Sequence, residues 1–295
     1  MTTVGDRVRA EPFAAVAAAM VLCVSAAPAR AAPHDNDPVA PFKIGEGLYY
    51  VGASDITAFL ITTKAGMILI DGGYETTAPQ ILANIKTLGF DPRQVRILLN
   101  THAHLDHAGG LAALKRATGA TLYASRLDGA LMARGGKGDF GLGDQFAYPP
   151  VTPDRTLFDG QRVSLGGVTL TAHLTPGHTR GCTTWTFPVT VAGRTRQALL
   201  LCSNSVLSMY RLTGARESYP GIAADYERSY ATWRSLPCEV FLGSHGLFFG
   251  LTAKRAALAA GKADAFVDPA GCKAWFDRGY ADFRATLARQ QAQGN

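Results

Sequence analysis

Apolar positions along this chain fall into short runs set between glycines and prolines. Leu48-Tyr49-Tyr50-Val51, Ala58-Phe59-Leu60-Ile61-Thr62 and Met67-Ile68-Leu69-Ile70 follow closely on one another, divided by Gly45, Gly47 and Gly66. Short runs rich in branched and aromatic side chains read as strands, and connections this brief allow only antiparallel pairing. The period then changes. Ile81, Leu82, Ile85 and Leu88 recur at helical spacing with Gly89 as a stop, and Val95-Arg96-Ile97-Leu98-Leu99 returns as a buried strand. A helix over Leu111–Thr118 and a strand over Thr121-Leu122-Tyr123-Ala124 come next. Alternation of strand and helix predicts parallel pairing with the helices outside.

Residues 134–155 interrupt the pattern with glycine and proline and read as a loop. Two readings stay open for it, a lid over a site or a solvated connector. As a lid it would offer Phe140 to a substrate as an apolar contact. Beyond it, Arg162–Leu165 and Val168–Leu174 make a hairpin through Gly166-Gly167, and Trp185–Val189 and Ala198–Cys202 are further strands. Tyr226, Tyr230 and Trp233 mark the buried face of a helix near 226–236, and Val240–Gly243 is a last buried strand. Cys272, Phe276, Tyr280, Phe283 and Leu287 share one face of a closing helix. Two β-rich halves, each with outer helices, predict an α/β fold, a four-layer αββα sandwich.

Composition adds a compartment. The 295 residues are 47% hydrophobic, enough for one large domain with a sizeable core. Residues 1–31 stand apart: Arg7 and Arg9 precede an apolar stretch from Phe13 to Ser25, and Ala29-Arg30-Ala31 is a small-x-small cleavage site. This predicts a signal peptide, with Cys23 discarded, and a mature periplasmic domain over 32–295. Residues 32–41 read as a frayed tail. The net charge is +6, but the basic residues form no run. That argues against nucleic acid as a partner and leaves mild steering of anionic small molecules. No later stretch is apolar and long enough to hold the processed chain in a membrane. Cys182, Cys202, Cys238 and Cys272 remain after processing. An even number in an exported chain predicts two disulfides, with three connectivities open, and no Cys-x-x-Cys supports a thiolate metal site.

The chemistry is concentrated after one strand. His102, His104, Asp106 and His107 occupy six residues between Leu99 and the helix that starts at Leu111. Strand-to-helix loops are where open α/β sheets bind ligands. Imidazole and carboxylate suit Zn²⁺, with iron or manganese as alternatives. His102 and His104 can reach one ion, while Asp106 and His107 point to a second place nearby. His178 and His245 lie in glycine-flanked loops after later strands, so five of the seven histidines share one kind of setting. His173 falls inside an alternating strand and reads as a packed histidine.

His102-x-His104-x-Asp106-His107, with Thr175-Pro176-Gly177-His178-Thr179 and Gly243-Ser244-His245-Gly246, resembles the metallo-β-lactamase superfamily. Leu69-Ile70-Asp71-Gly72-Gly73 fits as well, and the likeness runs over roughly residues 42–290. The resemblance implies two Zn²⁺ per chain, the first held by His102, His104 and His178 and the second by Asp106, His107 and His245. Glyoxalase-type and nuclease-type members carry a bridging aspartate where this chain reads Leu201-Cys202-Ser203-Asn204-Ser205. Subclass B1 β-lactamases place a cysteine ligand near there but lack a histidine like His107. His107 together with Ser203-x-Ser205 resembles subclass B3, as does Cys238 seven residues before His245 with Cys272 on the closing helix. That likeness implies a Cys238–Cys272 disulfide and gives Ser203 and Ser205 contact with the second-site water and the substrate carboxylate. Cys182 and Cys202, both beside the site after adjacent strands, are expected to pair.

The implied activity is zinc-dependent hydrolysis of the β-lactam amide in penicillins, cephalosporins and carbapenems. A metal-bound hydroxide is the nucleophile, and Asp106 orients it. The partner is a small molecule, acted on by a monomer. The alternative is another zinc hydrolase of the same fold, a thioesterase or lactonase. A flavo-di-iron protein would need a glutamate near His104 and a flavin domain, and the sequence has neither.

Overall fold

The computed structural model describes residues 1–2 and 34–294. The expected export segment, its cleavage site ahead of Ala32 and Cys23 lie outside the described residues, apart from residues 1–2. The chain divides into two units, Met1–Ala32 and Pro33–Asn295, and the second carries the fold.

β1 (Phe42–Gly45), β2 (Leu48–Tyr50), β3 (Phe59–Thr63) and β4 (Gly66–Ile70) form an antiparallel meander. Helix α1 (Ala78–Thr87) carries the chain to β5 (Val95–Leu99), parallel to β4. The single turn α2 (Leu105–Ala108) and helix α3 (Leu111–Thr118) lead to β6 (Thr121–Ser125), parallel to β5. After α4 (Arg126–Ala133) and the long loop, β7 (Arg155–Leu157) completes a seven-stranded sheet ordered β1 to β7. The second sheet has five strands. β8 (Arg162–Leu165), β9 (Val168–Leu174), β10 (Thr183–Val191) and β11 (Arg194–Leu201) pair antiparallel. Helix α5 (Ile222–Ser235) crosses to β12 (Val240–Gly243), which lies parallel to β11. α6 (Gly246–Phe249), α7 (Leu251–Ala259) and α8 (Pro269–Gly294) follow.

The parallel strands explain why their sequence does not alternate. Ile68, Ile70, Ile97 and Leu99 face the core shared with Trp185, Phe187 and Leu200 of the second sheet. Met67, Leu69, Val95 and Leu98 face the other way, onto Ile81 and Ile85 of α1 and Leu111 and Leu114 of α3. A strand covered on both sides is apolar throughout. On the far side of the second sheet, Tyr226 stacks on Phe283 and Trp233 on Phe276, joining α5 to α8. The result is the four-layer αββα sandwich that the pattern predicts.

The structure adds β1, β7 and α4, which are too short or too mixed to signal themselves, and starts α5 at Ile222 behind the left-handed Gly221. It also corrects the frayed tail. Residues 34–36 form a 3₁₀ turn, Pro38 bridges to Ala53, and Asp35 takes the backbone N–H groups of Asp55 and Ile56 on its carbonyl. Those bonds hold the segment from residue 34 onward. Cys238 is bonded to Cys272 and Cys182 to Cys202. Among the described residues no helix is long and apolar enough to cross a membrane.

Candidate metal centre

β4 and β5 are parallel neighbours, so the residues that follow them meet at one sheet edge. Asp71, in a left-handed conformation (φ 64°), accepts hydrogen bonds from Asn100 Nδ2 at 3.0 Å, from Thr101 N at 2.7 Å and from Thr101 Oγ1 at 2.7 Å. Complete burial nevertheless pushes its carboxyl up to about 6. Thr101 Oγ1 lies 3.1 Å from Nδ1 of His102, which leaves Nε2 of that ring without a partner. One turn later α2 presents Asp106 and His107, with the N–H groups of His107 and Ala108 both bonded to the His104 carbonyl. Gly110 lets this turn lie against the segment that follows β4, because a Cβ there would strike the Gly72 carbonyl oxygen.

His178 follows β9 and His245 follows β12, both at the corresponding edge of the second sheet. Asp128, on α4, ties the two sides together. It accepts from Ala103 N at 3.0 Å, Thr179 Oγ1 at 2.6 Å and Gly181 N at 2.7 Å, and its own burial pushes its carboxyl up to about 6. His178 Nδ1 is 2.9 Å from the Ser205 carbonyl, which places its proton there and turns Nε2 inward.

Two ligand clusters result. His102, His104 and His178 each bring one ring nitrogen within 4.8 Å of the others, their rings set nearly edge to face with centroids 4.7–5.0 Å apart. In the second, Asp106 Oδ2 lies 3.0 Å from His107 Nε2 and 3.3 Å from His245 Nε2, and the two nitrogens are 3.2 Å apart. A tetrahedral zinc with arms of about 2.0–2.1 Å has ligand–ligand edges of about 3.3 Å. The second triad already has that shape. His102 also lies within reach of Asp106 and His107, so the clusters adjoin. His102 Nε2, His104 Nε2 and His107 Nδ1 are buried without a hydrogen-bond partner. Of these, His102 Nε2 turns into the clusters, and a buried orphan nitrogen there fits a metal better than a packed core, while His104 Nε2 and His107 Nδ1 face Asp139 and Asp71, each at 3.8 Å.

The charges are set accordingly. Burial, then neighbouring imidazoles, hold His102 and His178 well below the usual histidine range. They are neutral at pH 7, the state a metal ligand needs. Asp106 stays ionised: burial would raise its pKa, but His107 and His245 hold it well below the carboxylate range. His245 is the exception: burial pulls down, yet Asp106 and Asp55 outweigh it and push the ring up to about 9, so its ring is protonated at pH 7 and would give up the Nε2 proton on binding a metal.

The clusters open into a cavity of about 540 Å³, lined among others by Tyr74, Asp106, Ser203, Ser205, Phe146 and Leu247. Ser203 Oγ accepts from the Ser205 N–H at 3.3 Å, so its own proton remains available to a ligand. Phe140 is not where the lid reading put it. Its ring packs against Tyr210 and Tyr219, 4.9 and 4.8 Å between centroids, because the glycine-flanked turn aims it at that aromatic pair. The same loop instead sends Leu142 and Phe146 to the cavity. His173 lies within β9, hydrogen-bonded to Thr186 Oγ1. Cys202 is committed to its disulfide and is no thiolate ligand. Sequence reasoning missed Asp55, Asp128 and Asp139, single carboxylates whose partners lie far along the chain, and the cavity residue Tyr74.

Residues 51–191 match the model of the metallo-beta-lactamase superfamily. Among solved structures, the FEZ-1 metallo-β-lactamase from Legionella gormanii is 42% identical with a TM-score of 0.85, over 87% of this chain and 98% of that one. BJP-1, a subclass B3 metallo-β-lactamase of Bradyrhizobium japonicum, is 37% identical with a TM-score of 0.82, over 88% of this chain and 98% of that one. A hydroxyacylglutathione hydrolase of Rhodospirillum rubrum is 29% identical over 168 residues, 56% of this chain and 53% of that protein. The chain spans about half the length of the curated relatives it matches.

Proposed function

The chain belongs to the metallo-β-lactamase superfamily of metal-dependent hydrolases, and we propose that it opens the ring amide of β-lactams in the manner of subclass B3. The observation that carries this reading is the lining of the cavity. Ser203 and Ser205 sit beside the ligand clusters, Leu142, Phe146, Leu207, Met209 and Leu247 form an apolar rim, and no Lys or Arg lines it among the described residues. A bicyclic β-lactam has one carboxylate beside its scissile amide and an apolar side chain on the other arm, and both find a counterpart here. A glutathione thioester carries two carboxylates on a long peptide and would ask for cations at the rim. The likeness to hydroxyacylglutathione hydrolases supports that second reading, and the absence of an acidic residue in Leu201-Cys202-Ser203-Asn204-Ser205 argues against it.

His102, His104 and His178 would hold one zinc, and Asp106, His107 and His245 a second. Bound there, zinc lowers the pKa of a coordinated water toward ~7 and polarises a carbonyl oxygen. Asp106, at the cavity wall, orients the attacking water and is placed to accept its proton. The Ser203 and Ser205 hydroxyls hold the substrate carboxylate, which fixes the amide nitrogen relative to that proton. Phe146, Met209 and Leu247 cover the apolar side chain and thin the water around the scissile bond. Water is the nucleophile, so no side chain need be acylated.

The same reading places the mature protein in the periplasm, where β-lactams arrive, with processing ahead of Ala32. N-terminal sequencing of the periplasmic fraction tests it, and recovery there of a chain beginning at Met1 contradicts it. For the activity, the test is zinc titration of the metal-free protein with a chromogenic cephalosporin as reporter. Turnover should rise with zinc and vanish with chelator.

A further inference from the structure

The loop over residues 134–155 is fastened rather than loose, and what it fastens is one carboxylate. Asp139 and Gly143 exchange both backbone hydrogen bonds, at 3.2 and 3.0 Å. Oδ1 of Asp139 accepts from the N–H groups of Gly141 and Leu142, both at 2.8 Å. Phe140 locks the turn against Tyr210 and Tyr219, and Tyr148 donates to the Ala103 carbonyl at 2.7 Å, tying the loop to the residue between His102 and His104. All of this leaves Oδ2 of Asp139 buried with no hydrogen-bond partner. It faces Nε2 of His104, 3.8 Å away, and that nitrogen is also buried without a partner.

Two orphaned buried atoms that face each other at 3.8 Å are a donor and an acceptor about 1 Å short of a bond. A carboxylate can only accept, so the ring nitrogen opposite it must carry the proton. In the neutral ring that a metal ligand requires, the other nitrogen, Nδ1, is then bare. In His102 and His178 the situation is reversed, since Thr101 Oγ1 and the Ser205 carbonyl occupy Nδ1 and leave Nε2 inward.

We propose that Asp139 is a positioning residue that sets the tautomer of His104, holding the proton on Nε2 so that Nδ1 is the nitrogen offered to the first metal. The loop that reads in sequence as a lid or a connector is thereby part of the metal centre's support. This inference rests on the reading of His104 as a metal ligand and not on which substrate is cleaved. Ring orientation fixed by an outer carboxylate is worth on the order of 10–100-fold in metal affinity.

Asp139→Asn gives the sharpest test. Its Oδ1 can keep the bonds from Gly141 and Leu142, while its amide presents a donor to Nε2 and so favours the opposite tautomer. The control is Asp144→Ala, which removes the Oδ1 bonded to the Gly138 N–H in the same loop and does not face His104. Long-range ¹H–¹⁵N correlation spectra of histidine-labelled, metal-free protein read the tautomer directly, and chelator competition reads zinc affinity. Wild type and Asp144→Ala should show His104 protonated at Nε2. Asp139→Asn should move the proton to Nδ1 and weaken the tighter zinc site by roughly 10–100-fold. An unchanged tautomer with zinc affinity within twofold of wild type overturns the inference. Wild-type protein that takes up no zinc overturns it as well, and with it the metal-centre reading on which it rests.

Discussion

Asp55 and His245 lie 190 residues apart in sequence and 2.8 Å apart in the fold, carboxylate Oδ2 to ring Nδ1. Asp55 also takes the Leu247 N–H on Oδ1 at 2.6 Å and the Gly246 N–H on its carbonyl at 2.7 Å. The loop after β2 therefore holds the loop after β12, and His245 can present only Nε2 to Asp106 and His107. Asp55→Ala frees the ring to rotate. Zinc affinity of the second cluster should fall by on the order of 10–100-fold while the first cluster stays occupied. Metal analysis after dialysis against a weak chelator checks this; equal retention of both ions would show that the bond does not matter to binding.

Removing Ser203 and Ser205 separates their proposed role from a merely local one. Each hydrogen bond to a charged group contributes about 1.5–3 kcal/mol, less where water fills the gap. The double change to alanine should lower kcat/KM for penicillins and carbapenems by about ten- to a hundredfold, mostly through KM. Ser203 also accepts the Ser205 N–H, so a small loss of stability accompanies it. A lower melting temperature with unchanged KM would assign both hydroxyls to the turn alone.

Asp128 makes stability depend on pH in a direction opposite to that of an ordinary ion-paired carboxylate. Its folded pKa is raised to about 6, above the unfolded value of about 4. The folded protein thus holds the proton more readily between those values, and stability from this group, present below about pH 4, is lost as pH rises through 6. The span is on the order of 2–3 kcal/mol. Asp128→Asn removes the titration and also sets an amide donor against Ala103, Thr179 or Gly181. The metal-free variant should be less stable than wild type, and the gap should narrow from about pH 4.5 to about pH 7. Denaturant unfolding at the two values measures it, and a gap that widens would contradict the sign.

The Cys238–Cys272 disulfide ties the turn before β12 to the start of α8 across a sequence separation of 34 residues. Loop closure of that length is worth roughly 2–4 kcal/mol. Replacing both cysteines by alanine should lower unfolding free energy by about that amount and leave zinc stoichiometry unchanged, since neither lines the cavity at the ligand clusters. Loss of metal in the variant would show that α8 supports the site more directly.

Much of the fold is legible in the sequence because strands covered on both faces, such as Val95–Leu99, are uninterrupted apolar runs, and helices such as α1 repeat at three and four. The ligand residues are legible because they crowd one loop and recur after later strands. Asp55, Asp128 and Asp139 are not, since each is a lone acid in a helix or turn whose partner comes from elsewhere in the chain. Phe140 misleads for a related reason. Glycines announce a turn at 134–155, but which side chain the turn sends to the cavity depends on Tyr210 and Tyr219, some seventy residues on.

The ring amide of a β-lactam, and not a glutathione thioester, is the substrate we propose. One comparison separates the two: kcat/KM of the zinc-loaded protein for a cephalosporin and for a hydroxyacylglutathione thioester, each with a chelator control. An apolar rim without Lys or Arg among the described residues, together with the hydroxyls proposed to hold a single carboxylate, predicts chelator-sensitive β-lactam hydrolysis at least a hundredfold more efficient than thioester hydrolysis, a difference of about 2.7 kcal/mol at the transition state. Thioester turnover that equals or exceeds cephalosporin turnover would contradict it.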